Sequence, residues 1–205
     1  FKYDFGGDTW YNGYTLFNMF CGAVQILSMM LFYPLLRKWI SSLQVFYVSF
    51  AMAIVGYAVL FVFMCIGLTD IAALFIPAFL VFAAFGMLTV LTTVFLANTV
   101  DYGELKNNRR DESVIFSMQT FVVKLASGVA AMIASVCLSV CNLSDDTSGT
   151  AAVQAAGSSV LGLRMTMMVL PIAGLMLAVF LFHRKYILTE QKVEEIAEQI
   201  RNSQK

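Results

Sequence analysis

Lys124 is the residue in this sequence whose presence is hardest to explain by packing alone. It is the only charged residue between Val114 and Cys141, a stretch long enough to cross a bilayer. An ammonium near the bilayer centre costs about 2.5–3.5 kcal/mol on the more lenient insertion scale, so such residues face a water-filled cavity or a partner. We therefore predict that Lys124 lines a solute or ion pathway. A structural ion pair with a carboxylate is the alternative.

Other polar side chains follow Lys124 at helical spacing. Ser117, Thr120, Lys124 and Ser127 fall on one face of a helix of 3.6 residues per turn, and Gln119 flanks that face. The stripe offers hydroxyls, an amide and a cation at the depth where a polar solute would sit. It is the first candidate binding surface.

The preceding apolar segment carries a second polar edge toward its end. Its members are Thr89, Thr92, Thr93 and Asn98. Threonines in membrane helices often bond to their own backbone carbonyls. Contact with a solute and a role in packing are therefore both open for these residues.

A charged segment comes directly after this edge. Between Asp101 and Glu112 the sequence has four acidic and three basic residues. We predict one short cytoplasmic turn, either simply solvated or held by ion pairs that close the inner side and break when it opens. Exposed pairs contribute only about 0.2–1 kcal/mol each, which suits a latch that must open.

Several other kinds of chemistry have no support in the sequence. We find no phosphate-binding loop, dinucleotide fingerprint, nucleophile elbow or cluster of metal ligands. The four cysteines lie in or beside apolar stretches without metal-ligand spacing, which favours small buried side chains. The net charge is zero, so nothing points to nucleic acid. We expect no catalytic residues, no metal site and no organic cofactor.

The elements that carry these residues are predicted to be membrane helices. The chain is 60% hydrophobic and 13% charged, with a mean hydropathy of +0.78. About 20 apolar residues cross a bilayer, and five runs qualify: Tyr11–Leu36, Leu43–Ile66, Ile71–Ala97, Val114–Cys141 and Val160–Phe182. An amphipathic helix around Val193–Ile200 follows. This predicts an all-α polytopic membrane bundle over residues 1–182 and a cytoplasmic tail over residues 183–205.

The basic residues predict the orientation of this bundle. With the five spans above, ten of the thirteen lysines and arginines fall on one side, which identifies that side as cytoplasmic. The carboxy terminus is then cytoplasmic, and the chain enters from outside. The sequence begins with Phe1 rather than Met, so we expect it to be a piece of a longer protein. We expect this protein to lie in a cell membrane, specifically a bacterial inner membrane.

Three segments with matching spacing resemble a known family. They read NTVDYGELK from Asn98, RDES from Arg110 and FSMQTFVVK from Phe116. This pattern is similar to that of the glycoside–pentoside–hexuronide:cation symporters, the melibiose-permease-type branch of the major facilitator superfamily. Two positions depart from it: Asn98 stands where the family commonly has an acid, and Thr89 where the melibiose type has an aromatic.

The resemblance implies a fold and a function. The five spans would be helices 8–12 of twelve, so the fold is expected to be a fragment of a major facilitator superfamily fold. Its partner would be the amino-terminal half of the same transporter. A sugar or sugar-like solute would move with a monovalent cation, Na⁺, H⁺ or Li⁺, by alternating access. Most of the cation site would lie in the other half.

The resemblance also assigns roles to residues of this sequence. It implies that Gln119, Thr120 and Val123 lie beside Lys124 near the solute, and we add Thr89 and Thr92 from the polar edge. The cytoplasmic gate would consist of Asp101, Glu104, Arg110 and Glu112.

Other functions remain open at this point. A related carrier could move a solute that is not a sugar, such as an anionic or lipid-like one, with Lys124 as its counter-charge. A membrane protein with a structural or regulatory role would transport nothing. A membrane enzyme is the least favoured, because the sequence has no catalytic constellation.

Overall fold

The regular structure of the chain is helical. The computed structural model describes residues 10–66, 71–107, 109–140, 157–186, 188 and 190–203, and these contain no strand. The helices are α1 (Trp10–Leu27), a π-helical turn (Ser28–Phe32), α2 (Tyr33–Arg37), α3 (Ser42–Ile66), α4 (Ile71–Asn107), α5 (Glu112–Val140), α6 (Gly157–Lys185) and α7 (Glu190–Ser203). The predicted all-α fold is confirmed.

Five segments of the described chain are long and apolar enough to cross a membrane. They are Tyr11–Arg37, Ser42–Phe63, Ala72–Asn107, Glu112–Val140 and Arg164–Lys185. Each contains an 18-residue window of high hydropathy with at most two charged residues, as expected of a helix that crosses the hydrocarbon core. The five predicted spans are confirmed, and the protein is a multi-pass membrane protein.

The first span is interrupted by the π-helical turn. Pro34 has no N–H to bond the carbonyl four residues earlier, and its ring crowds that carbonyl. The preceding turn is wider, with the Tyr33 N–H bonding the Ser28 carbonyl five residues back. The one predicted helix Tyr11–Leu36 is therefore divided into α1, the π turn and α2.

Small residues let α4 approach its neighbours closely. A Cβ added at Gly86 of α4 would lie 2.6 Å from the Gln25 carbonyl oxygen and 2.8 Å from Ser28 Cβ. The Ser28 hydroxyl donates a hydrogen bond to the Ala83 carbonyl at the same crossing. On the other side, a Cβ at Gly56 of α3 would meet Val81 at 2.7 Å. In lipid, the hydrophobic effect does not favour association of helices, so close van der Waals packing of this kind stabilises the bundle.

An aromatic cluster joins α3, α4 and α6 at one end of the bundle. The Phe46 and Phe182 rings stack with centroids 4.1 Å apart, and Tyr186 stacks on Phe182 at 4.4 Å and lies 5.1 Å from Phe95. Burial raises the pKa of the Tyr186 phenol, and a hydrogen bond with Asn98 partly offsets that rise. Asn98 therefore helps to hold α4 against the end of α6.

The charged end of α4 extends beyond the hydrocarbon core. The helix has 37 residues and is about 55 Å long, whereas the core is about 30 Å thick. The prediction that the helix ends near Ala97, with a loop from Asp101 onward, is wrong. The helix continues to Asn107 because α7 packs against it. Tyr102 of α4 lines one cavity together with Leu188 and Ile196, which are both buried.

The predicted amphipathic tail helix is confirmed as α7, and its first residue anchors it to the bundle. The Glu190 carboxylate accepts hydrogen bonds from Arg37 Nη1 at 2.7 Å and from the Ser42 backbone N–H at 2.8 Å. Glu190 thereby binds the start of α7 to the turn between α2 and α3. The pairing also satisfies a backbone donor at the start of α3, where no intrahelical acceptor exists.

Glu190→Ala is expected to loosen α7. The substitution leaves the partly buried Ser42 N–H without its acceptor, which costs about 1 kcal/mol. We expect amide hydrogen exchange in α7 to rise about fivefold, measured by mass spectrometry on the protein in nanodiscs. Glu194→Ala, at an exposed position of the same helix, should leave exchange unchanged. Equal exchange in the two variants would show that Glu190 is not the anchor.

Candidate functional site

The helix that carries Lys124 is open along its whole length. None of the residues of α5 is buried, and the helix touches α4 and α6 only sparsely. Large apolar side chains such as Phe121 and Val123 are 61% and 56% exposed. The described chain therefore places Lys124 on an open surface and does not enclose it. The aqueous cleft inferred from the sequence stays a prediction.

Lys124 has no ionic partner among the residues that the structure describes. No described carboxylate lies within 4.0 Å of the ammonium, and no described group forms a hydrogen bond with it. Within this part of the chain, the structural ion pair considered above does not form. The ammonium is available to a solute or to a partner outside the described residues.

The hydroxyls of the α5 stripe share one hydrogen-bonding pattern. Ser117 donates to the Val114 carbonyl at 2.8 Å, Thr120 to Phe116 at 3.0 Å and Ser127 to Val123 at 2.8 Å. A hydroxyl has one hydrogen and two lone pairs, so each of these oxygens can still accept a bond but has no free hydrogen. The stripe is thus a row of acceptors with one strong donor, Lys124. Gln119 lies half-buried beside it.

The threonines of α4 behave in the same way. Thr89 donates to the Phe85 carbonyl and Thr92 to the Leu88 carbonyl, each at 2.8 Å, and both side chains are exposed. No hydrogen bond joins either of them to the α5 stripe in the described residues. The structure therefore shows the predicted solute-binding residues on two helices with open faces, not as one closed pocket, and their role stays a prediction.

The predicted gate residues are brought together by Arg110. Its Nη1 lies 2.8 Å from Glu104 and 3.5 Å from Asp101, and its Nε lies 3.2 Å from Glu112. Asp101 and Glu104 belong to the last turns of α4, whereas Glu112 begins α5. The network therefore links the end of α4 to the start of α5. Its role as a gate stays a prediction.

The carboxylates around Arg110 stabilise its positive charge. Hydrogen bonds first to Glu104 and then to Glu112 raise the pKa of the guanidinium above its usual value. Because this pKa lies far above physiological pH, the arginine stays protonated and cannot switch the network by titration. Its side chain is 52% exposed, so salt screens these pairs.

Arg110→Gln is expected to loosen the α4–α5 connection. Three carboxylates then lose their shared cation and repel one another, so the angle between the helices should vary more. Spin labels at Lys106 and Ser113 should give a broader distance distribution in pulsed electron resonance, and molar salt should broaden that of the parent protein. Arg109→Gln is the matched control, because Arg109 pairs only with Asp111 in the described residues. A distribution as narrow as the control's would contradict the role of Arg110.

Sequence analysis missed a polar pair near the carboxy-terminal end of α6. The Tyr47 hydroxyl and His183 Nδ1 lie 3.0 Å apart across α3 and α6, although the two residues are 136 positions apart in the chain. His183 belongs to the last turn of α6, and both side chains are exposed. No spacing rule connects residues so distant, so only the fold reveals the pair.

Comparison with known proteins identifies the family. The model of the MFS/sugar transport protein family matches residues 6–190. The chain belongs to that family, which is one of transporters and not of enzymes. It is therefore a member of the major facilitator superfamily, as the sequence motifs suggest.

Two curated relatives show how much of such a protein the chain spans. It is 28% identical to the lactose permease of Lactobacillus delbrueckii subsp. bulgaricus over 203 residues, which are 98% of this chain and 30% of that protein. It is also 28% identical to the raffinose carrier protein of Pediococcus pentosaceus over 118 residues, 56% of this chain and 17% of that protein. The chain thus spans less than a third of the length of either relative.

Proposed function

We propose that the chain is the carboxy-terminal half of a sugar:cation symporter of the glycoside–pentoside–hexuronide type, working by alternating access. The observation that carries the proposal is Lys124, the only charged residue of the 29-residue helix α5 after its first residue, Glu112. A helix that crosses a bilayer keeps such a residue only for a solute, an ion or a partner. Membership of a sugar transport family and similarity to a lactose permease and a raffinose carrier favour a sugar.

The hydrogen-bonding pattern of the candidate site supports a sugar as well. Sugar hydroxyls are donors as well as acceptors. The acceptor-only hydroxyl of Thr120 can receive a sugar hydrogen, while Lys124 and the Gln119 amide can donate to sugar oxygens. In this proposal the solute is held by residues of two helices: Lys124, Gln119, Thr120, Val123, Thr89 and Thr92.

The exposed surface of α5 supports a further covering half. A helix with no buried residue leaves both its polar stripe and its apolar faces open. We propose that the amino-terminal half of the transporter covers the polar stripe and forms the opposite wall of the cleft. It would supply most of the site for the coupling cation, Na⁺, H⁺ or Li⁺.

The Arg110 network is the proposed inner latch. Asp101, Glu104, Arg110 and Glu112 lie beyond the hydrocarbon core at the end where α7 also packs. With the basic residues on the cytoplasmic side, this end faces the cytoplasm of a cell that carries the protein in its plasma membrane. Breaking the pairs would free the connection between α4 and α5 when the carrier opens inward.

Ion-driven uptake tests the proposed function directly. The full-length gene product, reconstituted into liposomes, should accumulate labelled lactose or raffinose when a Na⁺, Li⁺ or proton gradient is imposed, and should stop when the gradient is collapsed. Empty liposomes control for leakage. Equal uptake with and without every gradient would exclude symport, and failure to move any glycoside would exclude the sugar.

A second candidate is a carrier of an anionic solute. It is favoured by the absence of a carboxylate near Lys124 in the described residues, since the free ammonium could neutralise a bound anion. In that case Lys124→Arg should keep part of the uptake, and a sulfonated anion that is not a sugar should compete better than a neutral glycoside. No competition by acids would favour the neutral sugar.

A further inference from the structure

An apolar groove runs between α3 and α6, away from the candidate solute site. It has a volume of about 460 Å³ and is lined by Ala51 and Ile54 of α3 and by Met176, Val179 and Phe180 of α6. No acidic residue lines it among the residues that the structure describes. Both helices belong to segments that cross the membrane, so the groove opens toward acyl chains.

One end of the groove is polar. Tyr47, at the start of α3, and His183, at the end of α6, line that end, and their side chains hydrogen-bond at 3.0 Å. The Arg184 guanidinium lies 5.6 Å from the centroid of the Phe180 ring. No described carboxylate pairs with Arg184. The polar end of the apolar groove therefore has a hydrogen-bonding pair, Tyr47 and His183, and a nearby cation, Arg184.

The polar end lies at the level of the lipid headgroups. The span of α6 ends at Lys185, and Met176 lies seven positions before His183, about 10 Å deeper at 1.5 Å per residue. The turn between α2 and α3, at the same end, exposes 81% of Trp39. Exposed tryptophan beside basic residues is typical of the membrane–water interface.

We propose that this groove binds an anionic phospholipid. One acyl chain lies along Ala51, Met176 and Phe180, and the phosphate lies against Arg184 and the Tyr47–His183 pair. A zwitterionic lipid fits the apolar part equally well, but its headgroup has no net charge to balance Arg184. The charge at the mouth therefore selects the anionic lipid. The proposal depends on membrane insertion and not on transport.

Lipid retention measured by native mass spectrometry tests the proposal. The full-length gene product is released from nanodiscs that contain equal parts of phosphatidylglycerol and phosphatidylcholine. We expect about fivefold higher retention of phosphatidylglycerol, the equivalent of about 1 kcal/mol for one basic residue near an anionic surface. Arg184→Gln should bring the ratio close to one. Arg109→Gln, which removes an equal charge from the connection between α4 and α5, should leave it unchanged.

A second variant tests the apolar part without changing charge. Ala51→Trp fills the groove and should reduce retention of both lipids at this site, whereas Ala58→Trp, at an exposed α3 position outside the groove lining, should not. Equal retention of the two lipids by the parent protein would overturn the proposal. So would equal effects of the two arginine variants, or cross-linking of a photoreactive group at Ala51 into protein instead of lipid.

Discussion

Lys124→Ala is expected to abolish solute uptake by the full-length gene product. Lys124 is the only charge in α5 after its first residue, Glu112, and the described residues offer it no partner. In the proposed function, a contact with the solute offsets the desolvation cost of this ammonium. Losing one partner of a buried, hydrogen-bonded charge contact costs about 2–5 kcal/mol. Solute affinity should therefore fall at least about 30-fold, measured by solute protection against thermal unfolding and by initial uptake rates.

Leu125→Ala is the matched control for this experiment. Leu125 is the next residue of α5, is 56% exposed and lies off the polar stripe. It should keep uptake close to that of the parent protein, and both variants should reach the membrane in equal amounts. Normal uptake by Lys124→Ala would contradict the carrier function assigned to this residue and would favour a protein that transports nothing.

Gly86→Ala is expected to destabilise the bundle by about 1–3 kcal/mol, the usual cost of overpacking. The added methyl would lie 2.6 Å from the Gln25 carbonyl oxygen and 2.8 Å from Ser28 Cβ. A backbone carbonyl cannot move aside cheaply, so α1 and α4 must separate and weaken the hydrogen bond from Ser28 to Ala83. The midpoint of thermal unfolding in detergent should fall by several degrees.

Two further substitutions make this result specific. Gly22→Ala places a methyl in open space and should be neutral or slightly stabilising, because alanine is the better helix former by about 1 kcal/mol. Ser28→Gly combined with Gly86→Ala should recover only part of the loss, since the Gln25 carbonyl remains in place. Equal unfolding midpoints for the Gly22 and Gly86 variants would contradict the close crossing of α1 and α4.

Hydropathy and spacing predict most of the secondary structure of this chain. Five apolar runs of membrane length become five helices, and the spacing of Val193, Ile196 and Ile200 becomes α7. The end of α4 was beyond such rules. Gly103 and the surrounding charges are typical of a turn, but α7 packs against these residues and the helix continues to Asn107. The position of this helix end depends on contact with a distant segment, so it cannot be predicted from the local sequence.

In the candidate site too, the sequence predicts the local features and does not predict the contacts between distant residues. Helical spacing predicts that the Ser117–Ser127 hydroxyls share a face with Lys124, because side-chain direction on a helix is a local property. The charge run predicts ion pairs near Arg110, but not that one guanidinium holds three carboxylates. The bond between Glu190 and Ser42, 148 positions apart, has no signal in the sequence. The close approach of α1 at Gly86 also depends on a distant segment and has no local signal in the sequence.

Cysteine accessibility at position 124 tests the central inference most directly. In the full-length gene product carrying Lys124→Cys, a charged, membrane-impermeant thiol reagent should modify the residue from water, and the transported sugar should slow that reaction. Leu125→Cys should resist the same reagent. If Lys124→Cys instead resists the charged reagent and reacts only with a lipid-soluble maleimide, position 124 faces acyl chains, and it does not line an aqueous pathway.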